Sequence, residues 1–306
     1  MRAEPAAHFA VIGAMKCGTS SLHDQLARRS GLYMSRPKEP NFFSDEDRWA
    51  RGPAWYWRCF AGARPGQLRG ESSTHYSKWP TFARAAERLH AMLPEVRLVY
   101  VLRDPIERIV SQFMHEWSQR EVGGRFEDSV LRHERFIAYS CYARQLEQHL
   151  RYCPTRRILL VAFERMIAQP DAELARICRF LSDPSPEEPC WATHGRAQNV
   201  SSQRLRRSPI REGVLALPPL QWLKERLPGG LRELLKRPWR MGARPEVSER
   251  LRAELVARLD PDLARLGRWT GRPLSCATWR EAVLEGPLEW LGSEGPGPLG
   301  GRTLQG

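Results

Sequence analysis

The sequence has no long hydrophobic run. No stretch approaches the roughly 20 apolar residues that a membrane-spanning helix needs, which argues against a helical span. It has no C-x-x-C pair. Its seven cysteines (Cys17, Cys59, Cys141, Cys153, Cys178, Cys190 and Cys276) are odd in number. A disulfide framework or zinc site is therefore not expected, and a reducing compartment fits better. No metal-ligand cluster, internal repeat or RNA- or DNA-binding motif is visible. The first eight residues lack the apolar run of a secretory signal, so a cytoplasmic location is the expectation. Acidic residues are in deficit: 35 Asp and Glu face 48 Lys and Arg, a formal charge of +13. Such a balance points to anionic ligands or surfaces. Without a nucleic-acid motif, a nucleotide, an acidic glycan or an anionic lipid fits better than DNA or RNA.

What is present begins near the start. The stretch Phe9-Ala10-Val11-Ile12-Gly13-Ala14-Met15-Lys16-Cys17-Gly18-Thr19-Ser20-Ser21-Leu22 reads as buried strand, tight loop and helix. Leu22 and Leu26 lie four apart and share a helical face. Gly13 and Gly18 permit backbone angles closed to other residues and let an oxyanion come close. Thr19, Ser20 and Ser21 fall in the first helical turn, where hydroxyls and free N–H groups make an anion site. Lys16 adds a full positive charge. The plainer alternative is a strand-to-helix turn that holds Gly, Ser and Thr by chance. The nucleotide-hydrolase pattern G-x-x-x-x-G-K-[ST] is matched in its glycine spacing only. Thr19 stands where its lysine belongs, and the lysine has moved to position 16. That departure argues against Mg-dependent nucleoside triphosphate chemistry.

Strands and helices then alternate. Leu32–Met34 is a short second strand. The two prolines of Arg36-Pro37-Lys38-Glu39-Pro40-Asn41-Phe42-Phe43 make a loop. The aromatic segment Trp55–Phe60 reads as a helix packed on the sheet, or alternatively as a substrate wall. Gln67–Tyr76 is polar and ends a strand, and a helix is expected from Pro80 to about Leu93. Arg97–Arg103 is a second buried strand that runs into Asp104-Pro105-Ile106-Glu107, an N-cap, an N1 proline and a capping box. Ile106, Ile109, Val110, Phe113, Met114 and Trp117 form a core-facing stripe. A helix over about 139–152, a strand over 158–163 and helices over about 171–181 and 247–269 complete the pattern. It predicts an α/β fold: a P-loop-like, mostly parallel sheet flanked by helices on both faces. One domain is expected over 1–281. It includes basic, Trp-containing helical cover at about 201–245, which leaves a peripheral membrane contact open. A flexible tail is expected over 282–306.

Arg103 ends a strand at the ligand edge of such a sheet, and Ser111 follows two helical turns after the cap. At this point the sequence resembles the sulfotransferases that use 3′-phosphoadenosine 5′-phosphosulfate. Lys16-Cys17-Gly18-Thr19-Ser20-Ser21 looks like their 5′-phosphosulfate loop. Arg103-Asp104-Pro105-x-x-Arg108-x-x-Ser111 looks like their 3′-phosphate motif. Lys38-Glu39-Pro40-Asn41-Phe42-Phe43 resembles the loop that carries the catalytic glutamate in the heparan sulfate branch. Lys38 and Phe42 on that loop are then expected against the acceptor. The resemblance covers roughly residues 9–200, and weakly the closing helix to about 279, and implies the phosphosulfate nucleotide as co-substrate, with no metal required.

Two departures stand out. Where the branch often reads Glu-Lys-Thr-Pro, this chain has Glu71-Ser72-Ser73-Thr74, so the lysine is missing at Ser72. Where the branch has Lys-Gly-Arg over the nucleotide, the chain reads His194-Gly195-Arg196, so Gly195 and Arg196 carry over and the lysine does not. In this reading Lys16 serves the leaving phosphate and Glu39 takes a proton from a hydroxyl or amine acceptor. His75 is the rival base, and Glu39 as a solvated loop carboxylate is the plain alternative. Two other classes remain: a P-loop kinase-like phosphotransferase, and a non-catalytic nucleotide-binding or membrane-surface protein. The 3′-phosphate assignment predicts that Arg103→Ala and Ser111→Ala each weaken binding of 3′-phosphoadenosine 5′-phosphate by about 1.5–3 kcal/mol. Both should also discriminate less against a nucleotide without the 3′-phosphate. Calorimetric titration reads both effects, and unchanged affinity in both variants removes the assignment.

Overall fold

The two most apolar runs of the chain lie side by side at the centre of one sheet. In the computed structural model, which describes residues 7–192 and 244–292, β1 (Phe9–Gly13) is followed by α1 (Thr19–Leu26), β2 (Leu32–Met34), α2 (Glu46–Ala50) and α3 (Pro53–Arg58). Next come β3 (Leu68–Ser72), a 3-10 turn (Thr74–Ser77), α4 (Ala85–Met92), β4 (Arg97–Leu102) and α5 (Pro105–Gln119). The chain continues through α6 (Phe126–Arg132), α7 (Arg135–Ala138), α8 (Tyr142–Leu150), β5 (Ile158–Ala162), α9 (Phe163–Ala168) and α10 (Pro170–Leu181). Beyond the undescribed segment are α11 (Glu249–Thr270) and α12 (Trp279–Glu285).

The five strands are ordered β2-β3-β1-β4-β5, and every neighbouring pair is parallel. Successive strand residues point to opposite faces. All five residues of β1 and five of the six in β4 are buried, so both faces of the sheet are covered, as expected of a parallel sheet. Helices α1, α4, α8 and α10 supply Leu22, Leu89, Leu146 and Leu174 to that core. The stripe on α5 makes a second cluster, in which Ile109, Val110 and Phe113 meet Leu251, Leu255 and Leu259 of α11.

Helix boundaries differ from the sequence expectation where tertiary bonds intervene. The helix expected from Pro80 begins only at Ala85. Gln145 pins Trp79 from both sides, accepting from its N–H at 2.7 Å and donating to its carbonyl at 2.9 Å. The Phe82 ring is held flat on His75. The helix expected from 139 begins at Tyr142, because Arg108 and the carbonyl of Pro105 both bind the Ser140 hydroxyl. Only half of the capping box forms. The Asp104 carboxylate accepts from Glu107 N at 2.9 Å, but the Asp104 N–H goes to Glu164 at 2.8 Å. Order extends past position 281. Helix α12 runs to Glu285, Leu288 is buried, and the Trp290 indole donates to Ile158 O at 2.7 Å. The expected cover at about 201–245 lies almost wholly outside the described residues, as does the tail from 293 onward.

Register sets one tight contact. Phe9 in β1 stands opposite Gly70 in β3, and a Cβ at position 70 would lie 2.0 Å from the Phe9 ring. Gly70→Ala should therefore overpack the sheet and cost about 1–3 kcal/mol. Pairing it with Phe9→Leu should return part of that loss. Urea unfolding of the single and double variants measures both.

Candidate nucleotide and transfer site

The order of strands reverses between β1 and β4: the chain leaves β1 toward β3 and β2, then crosses to β4 on the other side. Open parallel sheets bind ligands at such a switch point, outside the carboxyl ends of the strands. The two nucleotide motifs read from the sequence follow these two strands. After β1 the loop residues Lys16 and Gly18 take left-handed backbone angles, φ 72° and 82°. Gly18 precedes α1, and no side chain caps the helix, which leaves its first turn to a ligand. A Cβ at Gly18 would lie 2.8 Å from the Phe163 ring, and one at Gly13 would lie 2.0 Å from the Ser77 hydroxyl. Both glycines are therefore fixed by space as well as by φ.

Arg103 joins the two motifs. Its Nη1 donates to Lys16 O at 3.2 Å, and its guanidinium lies 4.9 Å over the Phe163 ring and pairs with Glu107 at 3.2 Å. The Tyr142 hydroxyl donates to Arg103 O at 2.6 Å. Ser111 is buried on α5. Cys17, inside the cradle, is fully buried. Burial pushes its thiol up to about 12, so it is not a nucleophile. Thr19 is buried, while Lys16, Ser20 and Ser21 are half-buried.

The proline-framed loop reaches this cradle. Lys38 Nζ donates to Ser20 Oγ at 2.5 Å and lies 3.6 Å from the half-buried Glu39 carboxylate. Arg48 ties the loop down by donating to Glu39 O at 2.9 Å and also to Pro40 O. The Asn41 N–H donates to Ser73 Oγ at 3.1 Å. Phe42 corrects the expectation of an acceptor contact. Its ring is wholly buried and packs 5.0 Å from Tyr56 and 5.1 Å from Trp49. An aromatic side chain with several aromatic neighbours gains more from this core than from a solvent-facing position. The segment Trp55–Phe60 serves the same core through Tyr56, while Trp57 faces solvent.

His75 is half-buried, stacked on Phe82 at 4.1 Å and 3.4 Å from Ser44 Oγ. Burial first, then Lys78 and Arg48, pull its pKa down to about 3, so the ring is neutral and weakly basic. Ser72 Oγ is buried and meets Nδ1 of His23, on α1, at 3.0 Å. Gly195 and Arg196 lie outside the described residues. Among the described residues, no group of three His, Cys, Asp or Glu side chains could hold a metal ion, and no helix is long and apolar enough to cross a membrane.

Sequence reasoning did not single out Glu71 as a buried carboxyl. It has no exposure and accepts from Tyr56 at 2.6 Å, Ser73 at 2.6 Å and Tyr76 at 3.1 Å. Ser73 passes that order on to Asn41, two residues from Glu39. Burial pushes the Glu71 pKa up, and the three hydroxyls pull it only partly back, to about 7. A polar Gly-Glu-Ser-Ser run at a strand end gave no signal of this, because the donors come from α3, distant in sequence, as well as from the turn after β3.

The fold is that of a P-loop-like α/β protein, with the loops after β1 and β4 side by side at the switch point of its sheet. The sulfotransferase family profile matches residues 55–187, which include the second motif and Glu71. The chain is 29% identical over 180 residues to human heparan sulfate glucosamine 3-O-sulfotransferase 6, covering 56% of this chain and 51% of that protein. It is 30% identical over 180 residues to human heparan sulfate glucosamine 3-O-sulfotransferase 3B1, covering 56% and 45%. The chain thus spans about half the length of the curated relatives it matches. A sulfotransferase from Alicyclobacillus acidocaldarius has the same fold, with a TM-score of 0.64 at 24% identity over 91% of this chain and 99% of that one. Over residues 55–187 the chain is similar to the sulfotransferase family, and it shares its fold with a bacterial sulfotransferase.

Glu71 gives a pH test. Its folded pKa of about 7 lies above the ordinary carboxyl value of 4.5. Between those values the folded protein holds a proton that the unfolded chain has released, so this group's contribution to stability falls as pH rises from about 4.5 to 7 and is level above. Melting curves across that range should show the fall in wild type, and Glu71→Gln should flatten it. An identical pH dependence in the two proteins would refute the assignment.

Proposed function

We propose that the protein transfers a sulfonate group from 3′-phosphoadenosine 5′-phosphosulfate to a hydroxyl or amine of a carbohydrate-type acceptor. The observation that carries the proposal is the Lys38–Ser20 hydrogen bond, which fastens the loop bearing Glu39 to the first turn of the phosphate cradle. The residues fit the nucleotide. Uncapped α1, the two space-restricted glycines and Lys16 suit its 5′ end, and Arg103 with Ser111 suits its 3′-phosphate. The bound nucleotide supplies an activated sulfonate on a phosphate leaving group. Lys16 offsets charge that grows on that phosphate, and a cation is most effective where charge develops. Glu39, on a separate loop at the same sheet edge, accepts the proton that the acceptor loses. Gly195 and Arg196 belong to the nucleotide side of this proposal. Relatives named for heparan sulfate glucosamine support a carbohydrate acceptor over a lipid-linked sugar or small metabolite. Seven free cysteines support a reducing, cytoplasmic setting.

Incubating the protein with the phosphosulfate donor and candidate oligosaccharides, followed by mass spectrometry, tests the reaction. Glu39→Gln should lower turnover roughly 10²–10⁴-fold with little change in donor affinity. Lys16→Ala should lower both turnover and donor affinity, since the charge serves ground and transition states alike. If Glu39→Gln keeps native turnover while His75→Ala abolishes it in a folded protein, the base is His75.

A further inference from the structure

Lys78 follows the 3-10 turn that leaves β3. Its neighbour Ser77 donates to Ile12 O at 2.8 Å, one residue before the cradle's first glycine. The backbone of Lys78 is held at both ends: its N–H donates to His75 O at 3.2 Å, and its carbonyl accepts from Phe82 N at 3.2 Å. The side chain is half-buried, and its ammonium lies 5.9 Å from the centre of the Tyr139 ring. Tyr139 is in turn fixed by a 2.5 Å hydrogen bond with Thr81. Among the described residues Nζ makes no hydrogen bond and no ion pair. A largely desolvated ammonium without such a partner is costly to keep. Four other charged groups act on it: Glu39 from the proline-framed loop, and Arg108, Glu116 and Glu121 from α5 and its end. Two of these are already committed. Arg108 binds Ser140, Gln112 and Phe136 O, and Glu116 is held by Arg135.

We propose that Lys78 is a catalytic cation of this enzyme: anchored beside the root of the cradle and within the field of Glu39, its ammonium binds a sulfonyl oxygen of the group being transferred. The inference rests on the sulfonate-transfer reading above. In that reaction the bond between sulfur and the donor's phosphate oxygen breaks, and its electron pair stays on the phosphate. A new sulfur–oxygen or sulfur–nitrogen bond forms to the acceptor, whose proton passes to Glu39. Lys78 gives up no proton and holds negative charge on the sulfonyl oxygens between the two. Burial lowers its pKa to about 8, with Glu39 and Glu116 limiting the drop. The neighbouring His75 is neutral at that pH.

Three measurements test this. Lys78→Met should lower kcat by roughly 10²–10³-fold, the usual loss for one transition-state donor, while calorimetric affinity for 3′-phosphoadenosine 5′-phosphate stays within about twofold. In wild type, kcat/KM should fall above about pH 8 as Lys78 loses its proton, and in Lys78→Arg that fall should move to higher pH. Amine-reactive labelling read by mass spectrometry should find Lys78 protected by the phosphosulfate donor but not by the bisphosphate nucleotide. Native kcat in Lys78→Met, an unmoved alkaline limb in Lys78→Arg, or equal labelling with both nucleotides overturns the role of Lys78 alone, given active wild type. No transfer by wild type to any acceptor overturns the reading on which it rests.

Discussion

The guanidinium of Arg103 holds together three segments that are far apart in sequence. It donates to the carbonyl of Lys16 in the loop after β1, stands at the end of β4, and lies on the ring of Phe163, where β5 gives way to α9. The hydroxyl of Tyr142 fixes its own carbonyl. The left-handed angle at Lys16 therefore has tertiary support, which backbone conformations of this kind require. Phe163 serves twice, because the same ring closes the space at Gly18. One charged side chain and one aromatic ring thus set the shape of the loop between β1 and α1.

The acceptor side depends on a different kind of order. The loop carrying Glu39 has no regular structure, and its position comes from neighbours. Arg48 holds two of its carbonyls, Ser73 holds Asn41, and Phe42 and Phe43 are sunk in an aromatic cluster. Loops that carry reacting groups are useful when a rigid scaffold positions them. Here the scaffold is an aromatic core together with the buried carboxyl of Glu71 and its three hydroxyl donors. Glu39 itself stays half-exposed.

Much of the fold was legible because its elements carry strong local signals. The apolar runs of β1, β4 and β5 and the stripe on α5 are dictated by periodicity. Asp104 and Pro105 announce the start of α5. The glycines of the first loop marked the tight turn between β1 and α1, and both take positive φ. Phe42 shows the limit of this reasoning. A phenylalanine two residues before a polar turn fits an acceptor wall and a core equally well, and only the positions of Trp49, Trp55 and Tyr56 separate the two.

The sequence alone determined the alternation of strands and helices, the glycine-bearing turn after β1, and the capped start of α5 after β4. These follow from local geometry: side-chain period, capping chemistry and the freedom of glycine. Only the tertiary structure decided which loops meet. Strand order brought the loop after β1 beside the loop after β4, and bonds from Lys38, Arg48 and Asn41 fixed the loop of Glu39 beside Ser20. The partners of Glu71 come from α3 and from the turn after β3, and the charges around Lys78 come from α5 and the loop of Glu39. The chain records no distance between such groups, so their desolvation and pairing became definite only once the sheet was assembled.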